Sequence, residues 1–523
     1  MAHLAVTAAG SLIQSIDWAA VAPPLITAVF GLGVLVGDLF LPEPRKRLLG
    51  WISAGGLVLA LLSLVPLRSG DRATFCVRGG PGSSDGPACS YVADHFALVI
   101  QLLVLAGALL AVLLSMHTVE AERLPSGEFW FLLLSSAAGA ALLPASRDLA
   151  TLVVALETVS LPAFALVGLR RDARGGEAAL KFFLSSVTAT AVMLLGVSFV
   201  YAATGSMHLT RIAAALPHVP GQLKTLALVG AMLTLVGFAF KTAVVPFHFW
   251  VPDTYAGAPV SVAAYLSVVS KVAGLSGLAL VSVIAFHSYG RTWGLALAIL
   301  AALTMTVGNV AALRQRTDAP HSAVRLLAWS SIAQAGYLLV PIAAAGYGTS
   351  TGRDPLGATV AYALIYGVVN LGAFAVVALV VGRIDDYRGL FASRPATALA
   401  MAFFLLCLAG VPPGVVGLFG KVVVFRAAID SGLGWLAVVM AVNVVIALYY
   451  YLVWAAKLFQ AAPADAADSA VIPGATVRSG AAVAVLRLPV PVAVCLGVAA
   501  TVGVVLSVAP QLVLQVAAGS LFH

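Results

Sequence analysis

The chain has 523 residues, of which 61% are hydrophobic and only 10% are charged, whereas soluble domains carry roughly 25% charged residues. This composition excludes a soluble globular protein. The formal net charge of +8 comes mainly from basic residues in the loops between apolar segments, and it does not indicate a nucleic-acid partner.

Apolar segments of about 20 residues, long enough to cross a hydrocarbon core of about 30 Å, recur along the chain. They predict an all-α polytopic membrane protein with about 14 transmembrane helices. Residues 1–19 lack the basic start and apolar core of a cleavable signal peptide, so none is expected. The predicted spans are 20–40, 49–66, 94–116, 129–145, 149–169, 181–203, 224–255, 260–286, 292–313, 323–345, 357–382, 395–420, 433–458 and 489–517, of which the seventh and the twelfth are irregular.

The loops between these spans differ in their content of lysine and arginine. Short cytoplasmic loops of membrane proteins are enriched in both residues. An N-terminus on the outer face places more of the basic residues inside than the opposite orientation does. We therefore expect both termini on the outer face of a bacterial plasma membrane.

Two of the four cysteines, Cys76 and Cys89, flank the glycine-rich stretch "VRGGPGSSDGPA". The charge pattern places this loop outside, where disulfides persist. A Cys76–Cys89 disulfide is expected, and the alternative is a pair of free loop thiols.

The order of the spans indicates four regions. Two sets of five spans each contain a proline-interrupted fourth member, "KTAVVPFHFWVP" in the first set and "LAGVPPGVVGLFGK" in the second. Each set has an odd number of spans, so the second set begins on the opposite side of the membrane from the first. The two sets would then form an inverted repeat, as in transporters that bind ions at broken helices. The predicted regions are three N-terminal helices (1–128), a first five-helix repeat (129–286), a second repeat (292–458), and a linker with the last helix (459–523).

A small set of ionisable residues falls within these apolar spans or at their edges: Glu157, Lys241, Lys271 and Lys421. Such residues cost several kcal/mol in a membrane and usually mark an ion path, a partner or water. Burial lowers the pKa of a lysine and a nearby carboxylate raises it. A row of buried lysines can therefore exchange protons, and we expect Glu157 to set the proton affinity of Lys241.

Other readings remain open at these positions. A structural ion pair would explain Glu157 and one lysine, although several lysines face this one carboxylate. His248 is either a further relay member or a histidine hydrogen-bonded at the helix break. Asp253 follows a proline and is expected to cap the next helix.

Several separate motifs over residues 95–460 resemble those of the antiporter-like membrane subunits of respiratory complex I, the proton-translocating NADH–quinone oxidoreductase. The longest are "FKTAVVPFHFWVPDTYAGAP" followed by "SVVSK"; the others are "LETVSLPAFALVGLRRDARGGEAALKFFL", "LLAWSSIAQAGYLL", "YGVVNLGAFAVV", "LAGVPPGVVGLFGK" and "LYYYLVWAAKLF". Within the family, the lysine of the twelfth helix is similar to the pattern of subunit N.

The resemblance implies a function for each matched residue. Glu157 and Lys241 would form the coupled pair of a first half-channel, Lys271 would be the central relay lysine, and Lys421 would serve the second half-channel. Protons would pass along this relay, driven by quinone reduction elsewhere in the complex.

The resemblance also implies the partners and cofactors of the chain. The neighbours would be subunit M, the small subunit K and the lateral helix of subunit L, within the lipid bilayer. FMN, iron–sulfur clusters and quinone would be bound by partner subunits and not by this chain. The alternatives are a subunit of a multi-subunit Na⁺/H⁺ antiporter or of a membrane hydrogenase, and a free-standing solute symporter.

Overall fold

The computed structural model describes residues 16–77, 88–348, 355–461 and 488–517. Most of the glycine-rich loop between Cys76 and Cys89, and most of the predicted linker before the last span, lie outside the described residues.

The described residues form helices joined by short connections, with one β-hairpin. The first part of the chain forms α1 (Trp18–Asp38), α2 (Arg47–Leu62), β1 (Arg72–Val77), β2 (Ala88–Ala93), α3 (His95–Ala121), α4 (Ser126–Leu142), α5 (Leu149–Gly168), α6 (Ala173–Thr204) and α7 (Leu209–Ala215). The middle part forms α8 (Lys224–Lys241), α9 (Trp250–Gly257), α10 (Val260–Tyr265), α11 (Lys271–Leu280), α12 (Gly290–Leu313), α13 (Ser322–Ala345) and α14 (Leu356–Leu379). The last part forms α15 (Leu390–Ser393), α16 (Pro395–Ala409), α17 (Val415–Asp430), α18 (Gly434–Leu458), α19 (Val490–Val508) and α20 (Gln511–Ala517).

Among the described residues, 13 helical segments are long and apolar enough to cross a membrane. The broken pair α16 and α17 adds one more, so the prediction of an all-α polytopic protein with about 14 spans is confirmed. The inverted-repeat relation and the division into four regions stay predictions.

Two span boundaries lie far from the predicted positions. The sixth span was predicted to begin at Lys181, but α6 begins at Ala173 because the Asp172 carboxylate accepts a hydrogen bond from the Gly175 amide at 2.6 Å and caps the helix. The seventh span is irregular, as predicted, since α8 ends at Lys241 and α9 begins at Trp250. The twelfth span was predicted to end at residue 420, but its second half, α17, continues to Asp430.

The eighth span contains two wider, π-helical turns, at 266–270 and 281–285, which separate α10, α11 and the end of the span. Lys271 directly follows the first of them. Turns of this kind are frequent at functional sites.

The helices differ in how deeply they are buried. The segment 260–285 and helices α3, α13 and α14 are mostly enclosed by protein, whereas α1, α6, α18 and α19 expose much of their surface. The buried helices form the middle of the molecule, and α11 and α13 bring Lys271 into it.

The β-hairpin fixes the connection between α2 and α3. Cys76 and Cys89 face each other in the antiparallel register and are joined by a disulfide in the structure. After β2, the Asp94 carboxylate caps α3 and forms a buried ion pair with Arg147, next to the start of α5. The hairpin is therefore tied to the helix bundle by a buried charge pair.

Candidate functional site

Three lysines are enclosed by the membrane helices. Lys241 is 2% exposed, Lys271 is 1% exposed and Lys421 is 3% exposed. Burying an ammonium group without compensation costs several kcal/mol, so the groups that surround each lysine decide its role.

Lys241 is the last residue of α8, where the helix breaks. Its Nζ donates a hydrogen bond to Ser160 Oγ of α5 at 2.9 Å and lies 5.5 Å from the centre of the Phe182 ring. Gly274 of α11 permits this close packing, because a Cβ atom there would lie 2.7 Å from Lys241 Cγ.

Glu157 lies on α5, one turn before Ser160, so the two side chains share a face of the helix. The carboxylate is half-buried and accepts a hydrogen bond from Thr190 Oγ1 of α6 at 2.7 Å. Among the described ion pairs, none joins Glu157 to Lys241. The expected coupling therefore does not take the form of a direct contact, and Ser160 and Thr190 bind the two charged groups.

Lys271 points from α11 to α13. Its Nζ donates to the backbone carbonyl of Ser331 at 2.6 Å and to the Ser331 hydroxyl. Both acceptors are neutral, and both belong to a buried residue.

Lys421 lies in α17, after the second break, and its side chain reaches back to α16. Its Nζ donates to the carbonyl oxygens of Leu408 at 2.9 Å and Ala409 at 2.6 Å. These are the last carbonyls of α16, where the helix dipole favours a cation. The Tyr337 ring centre is 5.7 Å from the same nitrogen.

His248 lies in the first break and is half-buried. Its Nδ1 is 3.3 Å from the Pro246 carbonyl, and its ring lies 5.8 Å from that of Trp329. The described contacts of His248 include none of the three lysines, and its described hydrogen bond lies at the helix break; a role in the relay stays a prediction.

Asp253 does not cap the next helix, because it lies inside α9. Its carboxylate binds Lys181 of α6 at 3.0 Å and Arg325 of α13 at 3.1 Å. The proline before Asp253 suggested a helix boundary, but the short helix α9 already begins at Trp250. Asp253 therefore links α9 to α6 and to α13 by ion pairs.

The neutral polar residues of the site were not among the residues predicted from the sequence. Ser160 and Ser331 bind lysines, and Gln334, Tyr362 and Tyr451 form a buried hydrogen-bonded group between Lys271 and Lys421. A signal was present, since a glutamine inside an apolar span is costly unless it has partners. Hydroxyl groups gave no comparable signal because serine and tyrosine are common in such spans.

Residues 146–447 match the model of the family described as NADH:quinone oxidoreductase/Mrp antiporter, TM. Over 98% of the chain and 96% of the relative, the sequence is 65% identical to NADH-quinone oxidoreductase subunit N 2 of Streptomyces griseus.

Two solved structures are also similar. A chain of respiratory complex I from Thermus thermophilus is 31% identical, with a TM-score of 0.72 over 95% of this chain and 100% of that chain. A chain of the Mrp complex from Dietzia is 21% identical, with a TM-score of 0.75 over 95% of this chain and 96% of that chain, and shows the shared fold alone.

The family motifs, the buried lysines and the near full-length identity agree with one another. The chain therefore belongs to the NADH:quinone oxidoreductase/Mrp antiporter membrane family, and within it to the NADH-quinone oxidoreductase subunit N relatives.

Proposed function

We propose that this chain is a proton-translocating membrane subunit of an NADH–quinone oxidoreductase. Protons pass along a relay formed by Glu157, Lys241, Lys271 and Lys421, with water between these groups. The identity to subunit N relatives over nearly the whole chain supports this assignment.

One observation carries the relay. Every described hydrogen bond of the three ammonium groups goes to a neutral oxygen, from a serine hydroxyl or a backbone carbonyl. A buried cation with a purely structural role is normally paired with an anion, because its desolvation is otherwise uncompensated. Lysines without such pairing are suited to releasing and regaining a proton.

The proposal extends to the assembly. Subunit M, the small subunit K and the lateral helix of subunit L are the proposed neighbours, and FMN, iron–sulfur clusters and quinone are assigned to partner subunits. Both termini are proposed to lie on the outer face of the bacterial plasma membrane. Quinone reduction elsewhere in the complex supplies the energy, so this chain contributes a proton path to the oxidoreductase reaction.

The similarity to the Mrp complex supports the sodium-antiporter alternative by fold alone. A free-standing symporter would need a pocket with varied polar groups for a solute. The described polar groups around Lys271 and Lys421 are hydroxyls, a glutamine and backbone carbonyls, which favour proton transfer.

The test is NADH-driven acidification of inverted membrane vesicles, normalised to assembled complex. We expect Lys241→Arg, Lys271→Arg and Lys421→Arg each to lose most of the pumping, because a guanidinium does not readily release its proton. Lys224→Arg, at the exposed start of α8, is the matched control and should pump normally. Wild-type pumping by all three buried variants would reject the relay.

A further inference from the structure

Thr190 differs from four other hydroxyl residues of α6 in what its side chain binds. Those four donate to a backbone carbonyl of their own helix, one turn earlier: Ser185, Thr188, Ser198 and Thr204. Such bonding is a common arrangement for serine and threonine within helices. Thr190 Oγ1 instead donates to Glu157 Oε1 of the neighbouring helix α5 at 2.7 Å. The hydroxyl of Thr190 is therefore directed at the carboxylate.

Thr190 provides the hydrogen bond that is described for Glu157. Both side chains are half-buried, and within the described part of the chain no second hydrogen bond or ion pair reaches the carboxylate. A carboxylate on a membrane helix is costly unless a donor compensates for its lost hydration. The direction in which the Glu157 side chain extends therefore depends on Thr190.

The Lys241 ammonium has its partners at a different level of the same two helices. It donates to Ser160 Oγ of α5 at 2.9 Å and lies 5.5 Å from the centre of the Phe182 ring of α6. The Phe164 and Phe182 rings meet edge to face, with their centres 4.6 Å apart. This aromatic contact holds α5 against α6 at the level of the ammonium.

The Thr190 hydroxyl lies farther along the helix pair. Helices α5 and α6 are consecutive and are joined by the short connection 169–172, so they pack as antiparallel neighbours. Thr190 follows Phe182 by eight residues on α6, which is about 12 Å of helix rise. On α5, Glu157 precedes Ser160 by three residues, which is about 4.5 Å.

The Glu157 side chain consequently extends away from the ammonium. In an antiparallel pair, the direction from Phe182 to Thr190 on α6 runs back along α5, towards its N-terminus. Helical side chains point towards the N-terminus of their helix, so Glu157 reaches Thr190 by extending in the ordinary direction. The hydrogen bond thus holds the carboxylate on the side of Glu157 that is opposite to Ser160 and Lys241.

A carboxylate without this hydrogen bond would have another partner nearby. Ser160, which binds the Lys241 ammonium, lies one turn after Glu157 on the same face of α5. Opposite charges attract strongly where water is excluded. A direct ion pair favours the charged lysine and opposes the release of its proton, so it would slow a relay that depends on this release.

We propose that Thr190 is a positioning residue that holds the Glu157 carboxylate away from Lys241 and prevents a direct ion pair between them. This inference rests on the proposed proton relay and names a residue that controls its first pair. The Thr190 hydroxyl keeps its own proton, because its part is to donate a hydrogen bond to the carboxylate.

The experiment measures NADH-driven acidification of inverted membrane vesicles, normalised to assembled complex. Thr190→Val keeps the shape of the side chain but removes the hydroxyl, and we expect pumping to fall by about threefold to tenfold, the factor for one hydrogen bond. Thr190→Ser keeps the hydroxyl and should restore most of the pumping. Thr188→Val is the matched control, since the Thr188 hydroxyl binds the Leu184 carbonyl of its own helix, and it should pump normally.

A double-mutant cycle with Glu157→Gln shows whether Thr190 acts through the carboxylate. The glutamine has no charge to pair with Lys241, so we expect Thr190→Val to change the remaining pumping by less than about twofold in this background, the usual error of such a cycle. A role of Thr190 in packing alone would give the same loss in both backgrounds. If Thr190→Val assembles poorly, Thr190→Ala takes its place in the cycle.

Three results would overturn the inference: normal pumping by Thr190→Val, a loss in Thr190→Ser as large as that in Thr190→Val, or equal losses in the two backgrounds of the cycle. Lys241→Ala is measured in the same vesicles. If it abolishes pumping while Thr190→Val pumps normally, the relay stands and only this inference fails. If Lys241→Ala pumps normally, the proposed function itself fails.

Discussion

At the scale of single residues, Glu157 and Lys241 are each hydrogen-bonded to a neutral hydroxyl and not to each other. Glu157 accepts from Thr190, and Lys241 donates to Ser160, one helical turn after Glu157. A carboxylate near an ammonium group but not in contact with it still favours the charged lysine, although less strongly than a direct ion pair would. This arrangement suits a lysine that has to change its protonation state.

We predict that Glu157→Gln lowers proton pumping by about tenfold or more, while the complex assembles normally. The amide still accepts from Thr190 and keeps the shape of the site, but it removes the negative charge, whose effect on a nearby buried group is typically 1–3 pKa units. Glu157→Asp keeps the charge and should be milder. NADH-driven acidification of vesicles measures both variants, and an unchanged rate for Glu157→Gln would contradict the coupling of Glu157 to Lys241.

At the scale of the elements, the two breaks are held by different contacts. In the first, the Val245 amide donates to Thr304 Oγ1 of α12 at 3.0 Å, and the Trp250 ring nitrogen donates to the Phe240 carbonyl at 3.3 Å. In the second, α16 and α17 approach each other so closely that only glycine fits. A Cβ atom on Gly417 would lie 1.7 Å from the Cys407 carbonyl oxygen.

The second break leads to a prediction for Gly417→Ala. The added methyl group forces α17 away from α16 and displaces Lys421 from its carbonyl partners, so both stability and pumping should fall. Overpacking of this kind typically costs about 1–3 kcal/mol. Thermal unfolding and acidification assays test it, with Gly33→Ala of α1 as the control, since a Cβ atom there meets nothing within 4 Å. Equal behaviour of the two variants would show that the contact between α16 and α17 adapts freely.

The β-hairpin provides a second test at this scale. We predict that Cys76 and Cys89 form a disulfide in the mature protein, because they are directly paired across the hairpin and the loop is expected outside. In the chain-entropy model a crosslink over a loop of this size contributes about 3 kcal/mol. The intact mass after alkylation, with and without reductant, gives the answer. If both thiols were alkylated without reduction, the disulfide and the outside placement of the loop would lose support.

At the scale of the whole molecule, the polar residues are central and the apolar residues are peripheral. The three lysines and the Gln334 group lie on or against the buried helices α3, α11, α13 and α14, while α1, α6, α18 and α19 expose large apolar side chains. Such side chains are stable against lipid tails or against neighbouring membrane subunits. The molecule is thus arranged to enclose a polar path and to present an apolar exterior.

We predict that the chain copurifies in mild detergent with subunits that carry flavin and iron–sulfur clusters. The redox centres are proposed to belong to partner subunits, so the energy would have to arrive through protein contacts. Affinity purification followed by mass spectrometry and visible absorption spectroscopy measures this. Copurification with Na⁺/H⁺ antiporter subunits and without flavin would favour the antiporter alternative instead.

Much of the architecture could be predicted from the sequence, because hydropathy is summed over about 20 residues and hardly depends on which helices are neighbours. The irregular seventh and twelfth spans were also predicted, since proline removes a backbone donor and breaks a helix. Boundaries such as Ala173 were less predictable, because α6 begins in a polar segment capped by Asp172 and not where the apolar run begins.

By itself, then, the sequence determined the spans, the broken helices, and Glu157, Lys241, Lys271 and Lys421 as the candidate site, because a charge in an apolar segment is conspicuous at any position. Only the tertiary structure decided what these groups bind. It brought Ser160, 81 positions away in the chain, to Lys241, and it gathered Gln334, Tyr362 and Tyr451 between the other two lysines. Hydrogen bonds act over about 3 Å between side chains of distant segments, so they depend on the packing of the helices and not on the composition of any one of them.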